Sequence, residues 1–204
     1  MRKIIATAFL SLDGIMQAPG GPEEDTDGGF KYGGWTFHYW DEIMGEVMDK
    51  AMATPFDLLL GRRTYDIFAA HWPRVEAGDL IGDKFNAATK YVATSSPDTL
   101  TWKNTVALDP NITEAVRKLR QSDGADILIQ GSSQLVHALL ADDLIDELNL
   151  WVFPIVLGKG KAFFSAEAKP GALKLVGSKA STTGVVINTY HRAGEIKTGS
   201  FALE

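Results

Sequence analysis

The 204-residue sequence contains no cysteine, which excludes disulfide bonds, thiolate metal sites and cysteine nucleophiles. Histidine is also scarce. The four histidines show neither HxH nor HExxH spacing, so we predict that the chain has no metal site. Two common catalytic motifs are missing as well: the GxSxG elbow of serine hydrolases and the GxxxxGK phosphate loop. Any chemistry must therefore depend on other groups or on a bound cofactor.

The chain has fewer basic than acidic residues. It contains 20 Lys and Arg and 26 Asp and Glu, so its formal net charge is −6. This negative charge argues against nucleic acid or an anionic membrane as the main partner. No apolar run reaches transmembrane length, and the N-terminus lacks a signal-peptide pattern. We therefore predict a cytoplasmic protein with a small-molecule partner. An anionic ligand would need a local basic pocket.

Apolar runs and turn signals alternate along the chain in a βα pattern that ends in a hairpin. This order predicts an α/β fold with a mixed, mostly parallel sheet of eight strands, covered on both faces. Asp41 is the expected cap of a helix over 43–52, and Asn111 or Thr113 of a helix over 113–119. Loops are expected over 18–34 and 72–82. The predicted strands span 4–12, 56–60, 91–94, 102–108, 127–129, 148–157, 173–179 and 184–190.

The stretch 126–164 organises this pattern. Ile127–Ile129 predicts a buried strand, and Gly131-Ser132-Ser133 predicts a turn after it. The leucines and the valine that come next recur at helical spacing and predict a helix. A further apolar run completes a β-α-β unit. Free amide groups and the helix dipole make such a strand-to-helix corner a natural anion site. The alternative is a corner that binds nothing.

Two other predicted strand ends carry small or basic residues. Gly61-Arg62-Arg63-Thr64 follows the second strand, and Ser95-Ser96 follows the third. Arginine suits phosphate because its planar fork donates two hydrogen bonds. Ligands of open α/β sheets bind at the carboxyl ends of the strands, so the three segments together favour an extended phosphate-bearing ligand. The alternative for Arg62 and Arg63 is a solvated surface pair.

Aromatic residues crowd the end of the Gly-rich loop. The loop over 18–34 holds six glycines, two prolines and four carboxylates, and Trp35, Phe37, His38, Tyr39 and Trp40 follow within six residues. These rings either pack over the core or line a pocket for a flat ligand. We interpret Trp35 and Trp40 as substrate-binding residues.

Several of these segments, in this order, resemble the dihydrofolate-reductase-like fold and, within it, stand-alone members of the RibD C-terminal domain family. The likeness covers about residues 1–192, which we expect to form one reductase domain, with a tail over 193–204. The matching segments are Ser11-Leu12-Asp13-Gly14, Leu60-Gly61-Arg62-Arg63-Thr64-Tyr65, Ile129-Gln130-Gly131-Ser132, Leu144-Ile145-Asp146-Glu147-Leu148 and Pro154-Ile155-Val156-Leu157-Gly158-Lys159-Gly160.

This resemblance implies NADPH as cofactor, hydride transfer to a small flat heteroaromatic substrate such as a pterin or pyrimidine, a three-layer α/β/α architecture and a homodimer. It places Asp13 near the nicotinamide as the catalytic residue. Ser95 and Ser96 would flank the ribose 2′-phosphate, with Gly61, Arg62, Arg63 and Thr64 at the adenosine phosphates. The pyrophosphate would lie on Gly131, Ser132, Ser133, Gln134 and Leu135.

Two departures from the family pattern bear on this reading. The usual Gly-Gly with its cis peptide is Gly131-Ser132 here, and the helix acid of folate reductases has only Asp41 and Glu46 as candidates. Two alternatives therefore stay open. One is a non-catalytic nucleotide- or small-molecule-binding protein on the same fold, and the other is a protein with a flavin or haem cofactor.

Overall fold

The computed structural model describes residues 1–164, 166 and 168–201. Eight strands form one sheet in the order β4-β3-β2-β5-β1-β6-β8-β7. The strands are β1 (Ile4–Ser11), β2 (Phe56–Gly61), β3 (Lys90–Ala93), β4 (Thr105–Ala107), β5 (Asp126–Gln130), β6 (Glu147–Phe153), β7 (Leu173–Ala180) and β8 (Val186–Arg192). The helices are α1 (Glu42–Ala53), α2 (Arg62–His71), α3 (Leu80–Ala87), α4 (Ile112–Gln121) and α5 (Ser133–Ala141).

The strands from β1 to β6 pair in parallel, and β8 and β7 are antiparallel additions at one edge. β1 lies at the centre, between β5 and β6. Its sequence is apolar and partly β-branched because helices cover both faces of the sheet there. The predicted mixed, mostly parallel eight-stranded sheet of the dihydrofolate-reductase-like fold is confirmed.

Alternating side chains of β2 enter different parts of the core, as the two-residue period of a strand requires. Leu59 joins the cluster beneath α4 and α5, together with Ile129 and Val136. Leu58 and Leu60 join a cluster on the opposite face, with residues of α1, α2 and α3. The sheet therefore lies between two helical layers. Its parallel strands point their carboxyl ends to one edge.

Capping side chains start three of the helices. Asp41 accepts from the Met44 amide at 2.9 Å at the start of α1, so the predicted cap is confirmed. Of the two residues predicted to cap the helix after β4, Asn111 is the cap, and it accepts from the Glu114 amide. Asp79 caps α3 in the same way, through the Gly82 amide.

The loop predicted over 72–82 is wrong at its end. Residues 72–79 carry only a 3-10 turn at Trp72–Arg74, but α3 begins at Leu80. The capping bond of Asp79 starts this short helix, and burial of Phe85 in the core holds it. Two turns are too few to show a clear helical period. The position of α3 therefore depends on tertiary packing and not on a local sequence pattern.

Strand boundaries also differ from those predicted. β4 spans only Thr105–Ala107, because Trp102 leaves the sheet and its buried indole donates to Asn86. β6 ends at Phe153, so 154–157 are not part of it. The peptide bonds of the described residues are all trans, including that between Gly131 and Ser132.

The Gly-rich segment over 18–34 forms no α-helix or strand, as predicted, and carries only a 3-10 turn at Asp27–Gly29. Residues 193–201 are also without helix or strand, and 202–204 of the expected tail lie outside the described residues. Among the described residues, no helix combines the length and apolar character needed to cross a bilayer.

Candidate functional site

The corners after β2 and β5 touch each other through Ser132. These strands are neighbours in the sheet, so the helices that follow them, α2 and α5, begin side by side. The Ser132 hydroxyl accepts from the Gly61 amide at 2.9 Å and donates to Thr64 Oγ1 at 2.9 Å. Two corners that are separate in the sequence thus form one polar surface at the carboxyl edge of the sheet.

The backbone at these corners favours small residues. Gly131 has a φ of +65°, and a Cβ there would lie 3.5 Å from Thr64 Oγ1. At Gly61 a Cβ would lie 3.3 Å from Ser132 Oγ. Ser132 itself is left-handed, with a φ of 57°, a conformation that is uncommon outside glycine. The positive φ favours glycine at 131, and the close approach of Ser132 leaves little room for a Cβ at 61.

Helices α2 and α5 differ from the other α-helices of the described residues because neither has a side-chain N-cap. The residue before α2 is Gly61, and the Ser132 hydroxyl before α5 is turned towards Gly61 and Thr64. Their first-turn amides are therefore not capped by a side chain. Two such N-termini side by side favour a bound anion.

Arg62, Ser95 and Ser96 come together around one cavity of about 490 Å³. The remaining lining residues are Asp66, Ala93, Thr94 and Thr99. Arg62 Nε pairs with Asp66 at 2.9 Å, and its Nη1 donates to the Ser96 carbonyl at 3.2 Å and to Thr99 Oγ1 at 2.5 Å. The guanidinium is thus held at the cavity wall. Ser132 is not among the lining residues but lies at the adjoining corner, next to Gly61.

Arg63 points elsewhere. Its guanidinium pairs with Asp25 at 2.7 Å and with Asp27, both in the Gly-rich loop. Lys161, in the loop after β6, bonds the same two carboxylates at 2.6 Å and 2.9 Å. The structure therefore does not bring Arg63 to the cavity of Arg62. Sequence reasoning missed Asp25, Asp27 and Lys161, although the acidic character of the loop and the Gly-Lys-Gly-Lys run were visible signals.

The other residues predicted to bind the cofactor at the starts of α2 and α5 differ in their exposure and contacts. Thr64 contacts Ser132, and Ser133 is partly exposed at the start of α5. Gln134 is exposed, whereas the Leu135 side chain is buried in the core, so only its backbone could face a ligand. Their roles in binding stay predictions.

Asp13, the predicted catalytic residue, connects two loops. Its carboxylate accepts from the Ser11 hydroxyl at 2.5 Å and from the amides of Leu157 and Gly158 at 3.1 and 2.7 Å. The Ser11 bond, with those from the two amides, lowers the pKa of Asp13 below its ordinary value. The group is therefore held ionised as an acceptor. Its catalytic role stays a prediction.

The two tryptophans predicted to meet the substrate differ in exposure. Trp35 is 8% exposed, packs edge-on against Phe153 and donates from its indole to the Gln17 carbonyl at 2.8 Å. Trp40 is 44% exposed and stacks on Trp151, with ring centroids 5.9 Å apart. Trp35 thus has the core packing that was the alternative interpretation, and Trp40 offers an open ring. Substrate binding by either stays a prediction.

A second cavity, of about 440 Å³, lies between the Gly-rich loop and the loop after β6. Its wall includes Phe30 and Tyr32, whose rings meet edge-on, and also Asp27. The rest of the lining is Gln17, Gly28, Gly29, Lys31, Lys159, Gly160 and Lys161. Because Asp27 bonds Arg63, this cavity adjoins the first turn of α2.

Comparisons with known proteins agree with this architecture. The sequence pattern of the RibD C-terminal domain matches residues 2–187. Two proteins of Bacillus subtilis (strain 168) are similar over most of their length. Uncharacterized protein YyaP is 26% identical over 95% of this chain and 96% of its own length. Uncharacterized protein YwjB is 27% identical over 87% of this chain and 91% of its own length.

Solved structures are similar at the level of the fold. A putative riboflavin biosynthesis protein from Shewanella sp. PV-4 aligns with a TM-score of 0.58 and 18% identity, covering 94% of this chain and 99% of that one. Dihydrofolate reductase from Enterococcus faecalis, complexed with NADP(H) and RAB-propyl, aligns with a TM-score of 0.58 and 18% identity. The alignment covers 93% of this chain and 96% of that one. A pyrimidine reductase-like protein from Corynebacterium diphtheriae aligns with a TM-score of 0.60 and 13% identity. The alignment covers 95% of this chain and 93% of that one.

Proposed function

The chain belongs to the RibD C-terminal domain family, and we propose that it is an NADPH-dependent reductase that transfers a hydride to a small, flat heteroaromatic substrate. One observation carries the proposal: the two α-helices without side-chain caps begin side by side at the carboxyl edge of the sheet. A dinucleotide is an extended anion with two phosphate regions, which is the ligand such an edge suits. The reductases among the structural neighbours support the same class of activity.

The cavity of Arg62 supports NADPH over NADH. It lies beside the end of β3. Its lining includes one arginine, Arg62, paired with Asp66, and four hydroxyl residues: Thr94, Ser95, Ser96 and Thr99. A ribose 2′-phosphate would find hydroxyl donors there and the Arg62 guanidinium, which could donate from Nη2 because Asp66, Ser96 and Thr99 hold Nε and Nη1. The diphosphate would then extend along the first turns of α2 and α5, near Thr64 and Ser132.

The cofactor would supply the hydride, and the protein would bind and orient the reactants. Asp13 would hold the loop after β1 against the loop after β6 through its bonds to Leu157 and Gly158. Trp40 would present a flat ring to the substrate, since its ring is partly exposed and backed by Trp151.

The direct test is to titrate the protein with NADPH and NADH by tryptophan fluorescence or calorimetry. We expect saturable binding with a preference for NADPH. Absence of binding of either nucleotide at millimolar concentration would refute the proposal. Turnover would then be followed by loss of reduced-nicotinamide absorbance with pterins, pyrimidines and quinones as trial substrates.

A second candidate is a non-catalytic binding protein on the same fold, and one observation favours it: the two carboxylates considered as proton donors, Asp41 and Glu46, are both engaged. Asp41 caps α1 and accepts from Thr182, and Glu46 pairs with Lys179 at 2.9 Å. Such a protein would bind NADPH without oxidising it. Turnover with any substrate would exclude it.

We also propose that the protein forms a homodimer. The edge strand β7 exposes Leu173, Leu175 and Val176 by 42%, 50% and 45%, and Val156 in the segment 154–160 is 68% exposed. Exposed apolar edge strands tend to find a partner. Light scattering at micromolar concentration should give twice the monomer mass, and a monomer would contradict the proposal.

A further inference from the structure

A four-residue ion cluster joins the Gly-rich loop to the first turn of α2. Asp25 pairs with Arg63 at 2.7 Å and with Lys161 at 2.6 Å. Asp27 pairs with Lys161 at 2.9 Å and also with Arg63. Two cations and two carboxylates sum to zero charge, so Asp25 and Asp27 neutralise Arg63 and Lys161.

The two carboxylates are held differently. Asp25 is buried, and Gln17 fixes it by donating to its carbonyl at 3.0 Å and to its carboxylate at 3.2 Å. The Asp27 side chain is half exposed, and its carboxylate bonds only Arg63 and Lys161 among the described residues. The bonds from Lys161 and Arg63 lower its pKa, so it is ionised at neutral pH. Asp25 is therefore the fixed member of the cluster and Asp27 the displaceable one.

The backbone around Asp27 would survive the release of its carboxylate. Gln17 donates to the Asp27 carbonyl at 3.0 Å, and the Asp27 amide donates to the Asp25 carboxylate at 3.2 Å. Neither bond involves the Asp27 side chain. A rotation of that side chain into solvent would therefore free one edge of Arg63 and of Lys161 while the loop stays in place.

We propose that Arg63 and Lys161 form a phosphate site that the Asp27 carboxylate masks, so that Asp27 competes internally with the cofactor's diphosphate. This inference rests on the proposed function. Arg63 belongs to the first turn of α2, one of the two helices that begin without a side-chain cap, and its guanidinium faces the Gly-rich loop. A diphosphate there would take over the charge-assisted bonds that Asp27 now accepts. Lys161 comes from the loop after β6, so the phosphate would also connect that loop to α2.

Charge repulsion makes the competition measurable. A phosphate that approaches Arg63 meets the negative charge of Asp27 unless that side chain leaves. Removing the charge by Asp27→Asn should therefore strengthen NADPH binding. We expect a dissociation constant about fivefold lower, the size that a charge pair at a protein surface typically gives. The effect should diminish at high salt.

The experiment compares the wild type with Asp27→Asn by NADPH titration in low salt. Glu23→Gln is the matched control, because it removes one charge from the same loop at an exposed carboxylate. Adenosine and inorganic pyrophosphate are used as further probes. We expect Asp27→Asn to tighten NADPH and pyrophosphate, to leave adenosine unchanged, and Glu23→Gln to have a much smaller effect on all three.

Each outcome decides something. Equal or weaker NADPH binding by Asp27→Asn, with a wild type that binds, overturns the masking and leaves the proposed function standing. Equal tightening by Glu23→Gln also overturns it, because the effect would then be one of net charge. A wild type and variants that bind no nucleotide overturn the proposed function and this inference together. Thermal unfolding of each variant shows whether a loss of binding is a loss of folding.

Discussion

The hydroxyl of Ser132 lies 2.9 Å from the amide nitrogen of Gly61 and accepts its hydrogen bond, although 71 residues separate them in the chain. This bond joins the corner after β2 to the corner after β5. It also explains why Ser132 does not cap α5, since its hydroxyl is already engaged. The polar surface proposed for the cofactor includes this bond and the bond from Ser132 to Thr64.

Replacing Ser132 with Ala should loosen that surface. The Gly61 amide loses its acceptor and Thr64 loses a donor, which should cost about 0.5–1.5 kcal/mol of the free energy of unfolding. We expect weaker NADPH binding in addition. Urea denaturation and NADPH titration check both effects. Ser178→Ala is the control, because its hydroxyl also makes a hydrogen bond but lies on the edge strand β7. Unchanged NADPH binding by Ser132→Ala would show that this corner does not contribute to cofactor binding.

Replacing Arg62 with Ala should weaken NADPH more than NADH. Arg62 lines the cavity with Ser95 and Ser96, where we place the 2′-phosphate that NADH lacks. A lost charge-assisted bond is worth roughly 1.5–3 kcal/mol, or about ten- to a hundredfold in affinity. Calorimetry with both nucleotides measures the difference. Arg74→Ala, an exposed arginine away from this cavity, serves as control. An equal loss for both nucleotides would reject the assignment.

Replacing Asp13 with Asn should change how stability depends on acid. The pKa of Asp13 is lower in the folded protein than its ordinary value, chiefly through the bond from Ser11. The folded state therefore binds fewer protons than the unfolded state as that carboxyl titrates. The stability that Asp13 contributes is present above its unfolded pKa and is lost as pH falls through the folded one.

Asp13→Asn should therefore be less stable than the wild type at neutral pH, and the gap should close in acid. Urea denaturation across the acid range measures the difference between the two proteins. Loss of activity in this variant with unchanged stability would instead support a direct catalytic role for Asp13. A constant gap at all pH values would refute the linkage.

Lys90 should give a dependence of the same sign, but in the alkaline range. Its side chain is fully buried, its ammonium donates to the carbonyls of Phe85 and Asn86 at 3.0 and 3.1 Å, and it lies over the Trp102 ring. Burial lowers the pKa of Lys90 to about 8. Between that pH and the pKa of an unfolded lysine, roughly 10.4, the unfolded state binds more protons. This group therefore makes stability rise with pH in that window.

Lys90→Met should lack this rise. Relative to the wild type, the variant should lose stability progressively between the two pKa values, by up to a few kcal/mol in order of magnitude. Denaturation midpoints at several alkaline pH values measure it. Lys174→Met, at an exposed lysine, should show no such trend. Parallel profiles for the wild type and Lys90→Met would rule out a buried, shifted lysine.

Local patterns predicted most of the fold. The βα alternation, the cap at Asp41 and the hairpin at the end are all properties of neighbouring residues, and each was confirmed. Helix α3 was missed because it has only two turns and depends on Phe85 reaching the core. The strand predicted over 102–108 was too long because Trp102 leaves the sheet for a contact with Asn86. Such packing has no signature in the residues around it.

By itself, the sequence determined which chemistry was available: no thiol, no metal cluster pattern, and small or basic residues at three strand ends. Only the tertiary structure decided how these groups are used. It placed Arg62 with Ser95, turned Arg63 towards Asp25 and Asp27, and buried Trp35 in the core. The reason is physical: periodicity and capping act over a few residues, whereas the partner of a long charged or aromatic side chain is set by segments that meet only when the chain has folded.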